Sequence, residues 1–273
     1  EEVVEAFDEV RQFSFQVVSG TFVALIAYFG EMTMMFVDTF RTVLKRGTNW
    51  GDLVRQMTVI GVESLPIALL TVGFSSAVLA LYTITSLVKY GAADIVGGIV
   101  AIAVVRETGP LLTGISIAAR AGSAITAEIG SMKVSEQIDA LRSMAISPAE
   151  YLVAPRLLAC LIMFPVMTVF SNVAGIAGGA IVASANGIAF PAFKVAISQF
   201  LDEDGSDIWK GLLKTLFFGG IVALVGCREG LDTEGGATGV GRATTRSVVI
   251  AIVLIFVADF ILTFLLFAGK GIL

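Results

Sequence analysis

Long apolar segments recur along this chain, and they limit what it can fold into. A membrane-spanning helix needs about 20 predominantly apolar residues. The segments that meet or approach this length are 57–87, 95–120, 152–185, 211–227, which is the shortest, and 246–268. Backbone N–H and C=O groups in hydrocarbon must be satisfied within the segment, and the period-two pattern of strands is missing. The sequence therefore predicts an all-α, polytopic membrane helical bundle with five transmembrane helices.

Composition excludes several functional classes. Hydrophobic residues make up 56% of the chain and charged residues 15%, and the net charge of −5 offers no basic surface for nucleic acid. Histidine is absent, which excludes His-dependent hydrolases and zinc proteases and predicts a non-enzymatic protein. Cys160 and Cys227 lie too far apart for a metal motif, so we expect them to pack in the core. No cofactor and no metal site are predicted.

The amino-terminal region leaves two interpretations open. Residues 13–40 are apolar but carry Glu31 and Asp38 and are followed by Arg41. The segment could cross the membrane or lie on its surface as an amphipathic elbow helix. We divide the chain into an amino-terminal interfacial region, residues 1–55, and a five-span domain, residues 56–273.

Positive charges in the loops predict the orientation. Loops rich in Lys and Arg stay on the cytoplasmic side. These residues are Arg41, Lys45, Arg46, Arg55, Lys133, Arg142, Arg156, Arg228, Arg242 and Arg246. The intervening loops carry few positive charges, and one contains the acidic run 202–204. The loops before the first span and after the second and fourth are therefore predicted to be cytoplasmic.

A polar stretch separates the second and third spans. It reads AEIGSMKVSEQIDAL from 127 to 141 and predicts a short cytoplasmic helix with Ser135 as N-cap and Glu136 in its first turn. Its apolar positions at helical spacing are Ile138, Leu141 and Ala145. This face can pack on its own bundle or headgroups, or it can dock on a soluble partner.

Ionisable residues inside the spans are candidate functional groups. Each costs roughly 2.5–3.5 kcal/mol at the centre of a membrane helix. Arg106, Glu107 and Asp259 qualify, and the adjacent Arg106 and Glu107 cannot share one helix face. Lys214 lies nearer a helix end, where it can snorkel to the surface. These charges either form an ion pair that fixes packing or provide a polar gate in an apolar cavity.

Small residues and prolines complete the pattern. Gly175 and Gly179 form a GxxxG pair, which predicts close helix packing within the chain or between subunits. Pro66, Pro110 and Pro165 interrupt spans and should kink them or leave carbonyls free. Residues 235–241 are rich in glycine, but no strand precedes them and no GK[ST] follows. A flexible cytoplasmic loop is expected there, and no nucleotide site.

Four blocks of residues resemble a known family. They are RETGP (106–110), ARAGSAITAEIGSMKVSEQIDAL (119–141), SPAEYLVAPR (147–156) and GVGRATTRSVV (239–249). These blocks closely resemble the MlaE/YrbE family, the permease subunits of ABC transporters that move lipids between membranes. The likeness extends from about Gln56 to the carboxyl end, whereas the first 40 residues match only in general character.

The resemblance implies a fold, partners and site residues. It implies an interfacial elbow helix and five spans, a homodimer in the bacterial inner membrane, a cytoplasmic ABC ATPase and an MCE-domain substrate-binding protein. The residues it assigns to coupling with the ATPase are Ser135, Glu136, Gln137, Ile138, Asp139, Leu141 and Arg142. The residues it assigns to the lipid cavity are Leu70, Phe74, Val78, Glu107 and Lys214. Phospholipid is the default substrate.

Two other functional classes remain open. A proton-coupled secondary transporter would use Glu107 and Asp259 as proton carriers and would not need ATP, although no inverted repeat is evident. A structural membrane anchor would fold identically and tolerate substitutions at the buried charges.

Overall fold

The computed structural model describes residue 23 and residues 26–44, 49–201 and 205–267. Within these residues the chain is helical and contains no strand. Five helical stretches are long and apolar enough to cross a membrane. They are Trp50–Tyr90, Ala93–Val134, Ala149–Ala185, Ser206–Leu231 and Gly236–Phe267. The prediction of an all-α five-span bundle is confirmed. Residues 1–22, Lys45, Arg46 and the acidic run 202–204 lie outside the described residues.

Eleven helices are numbered here along the described chain. They are α1 (26–44), α2 (Trp50–Ile60), α3 (Leu65–Leu87), α4 (Val96–Ala103), α5 (Gly109–Ile117), α6 (Ser123–Val134), α7 (Gln137–Ser143), α8 (Ala154–Ala185), α9 (Phe190–Phe200), α10 (Ser206–Leu231) and α11 (Gly236–Phe267). Short 3₁₀ turns cover Val62–Ser64, Val88–Tyr90 and Ala93–Ile95. Single π turns cover Val104–Thr108, Ala118–Gly122 and Ala149–Val153. The second span is therefore α4, α5 and α6 joined by two π turns.

Helices α3 and α8 pack against each other through glycine. A Cβ added at Gly178 would lie 2.4 Å from the carbonyl oxygen of Gly73, and one added at Gly175 would lie 2.8 Å from the Ser76 hydroxyl. The two backbones touch because no side chain separates them. Gly175 and Gly179, the GxxxG pair, both serve packing within the chain, since a Cβ at Gly179 would lie 2.8 Å from Val100 Cγ1.

Helix α9 lies between the third and fourth spans, where the sequence predicted only a loop. Pro191 occupies its first turn, and Phe193 and Ala196 are buried. Its backbone contacts α4, since a Cβ at Gly97 would lie 2.4 Å from the carbonyl oxygen of Phe193. The apolar positions at helical spacing were the signal that could have identified this helix.

Helix α1 is paired with the bundle near one end and lines a cleft near the other. The Arg228 guanidinium, in the last turn of α10, lies 2.7 Å from the Glu31 carboxylate and 4.1 Å from the Tyr28 ring centroid. Burial raises the pKa of Tyr28 above its ordinary range, so the phenol is neutral. Towards its other end, Asp38 and Arg41 line a cleft with the α7–α8 connection. We call this side of the bundle, where α7 lies, the α7 end.

The glycine-rich segment is not a flexible loop, so that prediction is wrong. Gly235 and Gly236 adopt left-handed conformations that turn the chain, and α11 then continues through Gly239 and Gly241. Tertiary packing outweighs the low helix propensity of glycine there. Cys160 and Cys227 are buried free thiols, as predicted.

The contact between α3 and α8 gives a stability prediction. Gly178→Ala should lower the free energy of unfolding by about 1–3 kcal/mol, because the methyl group would overlap a backbone oxygen that cannot rotate away. Thermal unfolding in detergent micelles measures the change. Gly241→Ala is the matched control, since nothing lies within 4 Å of its added methyl. The control should raise stability by up to about 1 kcal/mol; equal effects at the two sites would contradict the contact.

Candidate functional site: a buried charge cluster and helix α7

The Lys214 ammonium, on α10, lies among oxygen atoms from two other helical segments, the second span and α11. Its Nζ donates to the Arg106 carbonyl oxygen at 3.0 Å and to Glu107 Oε2 at 2.7 Å. It also donates to Thr263 Oγ1 at 2.9 Å and lies 2.6 Å from Asp259 Oδ1. We call Lys214, Glu107, Asp259 and Thr263 the Lys214 cluster.

Local backbone chemistry positions the cluster. Pro110 has no N–H, so the Arg106 carbonyl loses its helical donor and accepts from Lys214 instead. The preceding π turn brings Glu107 into the same region. Gly211 lets α10 approach this turn, because a Cβ there would lie 2.4 Å from the Val105 carbonyl oxygen. Of the two outcomes predicted for prolines in the spans, a kink or a free carbonyl, Pro110 shows the second, and Lys214 is the donor to that carbonyl.

Arg106 and Glu107 bind different partners on α10. The Arg106 guanidinium pairs with the Asp207 carboxylate at 2.9 Å and lies 5.1 Å from the Phe267 ring centroid. Glu107 pairs with Lys214. Both side chains therefore reach the same neighbouring helix, and their different partners there do not test whether they share one helix face.

Burial shows which charges are accessible. The Lys214 side chain is 0% exposed and Asp259 is 7% exposed, whereas Glu107 is 42% exposed. The prediction that Lys214 snorkels to the surface is wrong, because its ammonium points into the bundle where it finds oxygen partners. With both carboxyl groups ionised the cluster has one more negative than positive charge, and a buried charge is tolerated only with close partners. Glu107 is the member of the cluster that is exposed at the surface of the bundle.

The predicted cavity residues on α3 lie on an exposed face. Leu70, Phe74 and Val78 are exposed at successive helical turns, and the opposite face buries Val72 and Ser76 against α8. The described chain therefore places Glu107 and Lys214 together but leaves the three apolar residues uncovered on the outside of the bundle.

Helix α7 is present, but its start and its apolar face differ from the prediction. Its N-cap is Glu136, which has a left-handed backbone, and Ser135 instead ends α6 by donating to the Ser131 carbonyl. Ile138 is fully buried in the core of the bundle. Ala145 lies beyond the helix end and is exposed. The apolar face packs on its own bundle, which was the first of the two alternatives.

The other face of α7 is polar and exposed. Asp139 pairs with Arg142 at 3.3 Å and with Lys133 at 3.7 Å. The exposed residues are Glu136, Gln137, Asp139, Ala140, Arg142 and Ser143. Leu141 is partly buried against the core. Of the predicted coupling residues, Ile138 and Leu141 therefore attach α7 to the bundle. The polar coupling residues are exposed and can contact a partner.

Sequence reasoning missed the ion pairs that connect the spans at the α7 end. Arg156, 4% exposed, pairs with Glu128 at 2.7 Å. Glu229, 1% exposed, pairs with both Arg228 and Arg246. The available signal in the sequence was an arginine inside a span beside a cytoplasmic loop, as at Arg156. The carboxylate that pairs with Arg156 lies on another helix.

Comparisons with known proteins agree with this architecture. The family model described as Permease MlaE matches residues 53–265. The chain belongs to the MlaE permease family. A probable ABC transporter permease protein of Synechocystis is 38% identical over 252 residues, covering 91% of this chain and 95% of the relative. A probable ABC transporter permease protein of Rickettsia typhi is 38% identical over 215 residues, covering 79% of this chain and 83% of the relative.

A plant relative also matches this MlaE family chain. The chloroplastic protein TRIGALACTOSYLDIACYLGLYCEROL 1 of Arabidopsis thaliana is 34% identical over 234 residues, covering 84% of this chain and 65% of the relative. The MlaE match includes the Lys214 cluster and α7. The protein is a multi-pass membrane protein whose relatives are named as ABC transporter permeases.

The Lys214 cluster gives a second stability prediction. Lys214→Met should lower the free energy of unfolding by about 3 kcal/mol, the lower end for a broken buried pair because Glu107 reaches the surface. Adding Asp259→Asn should recover part of this loss, since one uncompensated carboxylate is removed. Denaturation of the purified variants measures both changes.

Lys210→Met is the control for this pair of variants. The Lys210 ammonium lies over the Phe267 ring at 5.2 Å and outside the cluster, so its loss should cost only about 0.5–1 kcal/mol. Equal destabilisation by the two lysine variants would contradict the role given to Lys214.

Proposed function

We propose that this chain is the permease subunit of an ABC transporter that moves lipid, with phospholipid as the default substrate, and that ATP is hydrolysed on a separate cytoplasmic subunit. The observation that carries the proposal is the Lys214 cluster, a polar site with one exposed carboxylate inside a bundle whose core is mostly apolar. Membership of the MlaE family and the relatives' names as ABC transporter permeases support the transport class. The plant relative's name contains the name of a glycerolipid, which supports the substrate class.

The proposed lipid site combines a polar and an apolar part. Glu107 and Lys214 would meet the polar part of the lipid, because Glu107 is the exposed member of the cluster. Leu70, Phe74 and Val78 would meet the acyl chains, since they form a continuous apolar face on α3. A second copy of the chain would enclose this face, so the proposal includes a homodimer.

The proposed docking site for the ATPase is the exposed face of α7. Its polar residues project from a helix that Ile138 anchors in the bundle. Loop charges predict this side to be cytoplasmic. Displacement of α7 by the ATPase would therefore act directly on the ends of the second and third spans.

The remaining parts of the proposal follow the family resemblance. α1 would be the elbow helix of the amino-terminal interfacial region, residues 1–55, because Glu31 pairs with Arg228 and Asp38 lines a cleft, both at the α7 end. An MCE-domain protein would deliver or receive lipid on the opposite side. The membrane would be the bacterial inner membrane.

Reconstitution tests the proposed function against its rivals. The complex purified with its partner subunits is placed in liposomes of phosphatidylethanolamine and phosphatidylglycerol, and movement of fluorescent phosphatidylglycerol is recorded. We expect movement that requires ATP hydrolysis. Movement driven by a pH gradient without ATP would indicate a secondary transporter using Glu107 and Asp259. Assembly of the complex without lipid movement under either condition would indicate an anchor.

The exposed face of α7 gives a binding prediction. Gln137→Asp combined with Arg142→Glu adds negative charge to this face and should lower the ATPase recovered on co-purification about tenfold, which corresponds to about 1.4 kcal/mol. Thermal stability should stay near wild type because both side chains are exposed. Lys89→Glu combined with Ser86→Asp, both exposed at the other end of the bundle, changes the charge by the same amount and is the control. Unchanged ATPase recovery would contradict docking on this face.

Glu107 gives a transport prediction. Glu107→Leu removes the exposed carboxylate and should lower ATP-dependent lipid movement severalfold while the ATPase still co-purifies. Asp94→Leu is the control, since Asp94 is an exposed carboxylate at the start of the second span. If Glu107→Leu and the control move lipid at the same rate, Glu107 is not part of the lipid site.

A further inference from the structure

Helix α7 is flanked by two unusual backbone conformations. Among the described residues, seven have positive φ, and five of these are glycines. The two non-glycine residues are Glu136, with φ 60°, and Ala145, with φ 57°. Glu136 immediately precedes α7, and Ala145 follows its C-cap. A Cβ disfavours this left-handed conformation, so glycine is the usual choice.

Backbone hydrogen bonds at the C-terminal end of α7 accompany the left-handed conformation of Ala145. The Ala145 N–H donates to the Arg142 carbonyl at 3.0 Å, and the Ile146 N–H donates to the Leu141 carbonyl at 3.0 Å. This is the hydrogen-bond pattern of a Schellman motif, in which glycine normally takes the left-handed position.

The end of α8 provides an internal comparison. Gly187, with φ 86°, donates to the Ser184 carbonyl at 3.2 Å, and Ile188 donates to the Ala183 carbonyl at 3.0 Å. The same motif therefore uses glycine at α8 and alanine at α7.

The use of a residue with a Cβ instead of glycine affects the stiffness of the connections on either side of α7. Glycine populates many backbone conformations, whereas a residue with a Cβ that has entered the left-handed region has a narrow range there. Ile138, which lies between these two residues in the sequence, is fully buried. Non-glycine residues in strained conformations persist where the surrounding structure fixes them, and they are concentrated at functional segments.

We propose that Glu136 and Ala145 are positioning residues that hold α7 at a fixed angle, so that displacement of α7 is transmitted to the spans and not lost in flexible connections. The inference rests on the proposed function, since it requires an ATPase that moves α7. It assigns the role to the backbone conformation at these positions and not to the Glu136 carboxylate.

The test compares glycine and asparagine at both positions in the reconstituted ATPase complex. Glu136→Gly with Ala145→Gly keeps the left-handed conformation accessible but frees the backbone. Lipid movement is normalised to the ATP hydrolysed by the complex that assembles, and we expect fluorescent phosphatidylglycerol moved per ATP to fall about fivefold or more, the lower range of measured coupling between sites. Glu136→Asn with Ala145→Asn should retain the wild-type ratio, because asparagine tolerates this conformation and keeps a side chain.

A second measurement reports the orientation of α7 without transport. Spin labels at Ser143→Cys and Thr238→Cys, both exposed at the α7 end, give a distance distribution in the same complex. The distribution should broaden in the glycine variant and stay narrow in the asparagine variant.

The outcomes separate the two proposals. A glycine variant with the wild-type lipid-to-ATP ratio and an unbroadened distance distribution would overturn the inference and leave the proposed function intact. Loss of coupling in both the glycine and asparagine variants would also overturn it, since side-chain identity and not backbone stiffness would then matter. A wild-type complex with no ATP-dependent lipid movement would overturn the proposed function, and the inference with it.

Discussion

The ammonium group of Lys214 needs oxygen partners inside a bundle made mostly of hydrocarbon, and the surrounding helices are arranged to supply them. A buried charge is stable only when close partners replace the water that it loses. Pro110 frees one carbonyl, Gly211 allows α10 to come close enough, and Asp259 and Thr263 lie one helical turn apart on α11. Three spans are thereby connected at one nitrogen atom.

Much of this architecture was predictable because its signals are local. Segment length and hydropathy identify the five spans, and the cost of charges in lipid identifies Glu107 and Asp259 as unusual. The partner of these carboxylates was not predictable, because Lys214 was equally compatible with snorkelling until the position of α10 was known. The π turns were also missed, since a single extra residue per turn leaves no compositional trace.

Helix α7 shows the same division between local and tertiary information. The polar stretch correctly predicted a short helix between two spans, and the apolar spacing correctly selected Ile138 as an interior position. The sequence could not decide what that face packs against, nor that Ser135 would end α6 and Glu136 would begin α7. Those outcomes depend on the angle between successive helices, which long-range packing determines.

The two π turns of the second span affect which neighbouring helices it packs against. Each turn accommodates one additional residue, and one residue corresponds to about 100° of rotation around a helix axis. The stripe of the helix that faces inward is therefore displaced twice along its length. α4 packs on α3, α8 and α9, whereas α6 packs on α10 and α11. A single span thus contacts one set of helices in its first part and another in its last part, and the two changes of register lie between them.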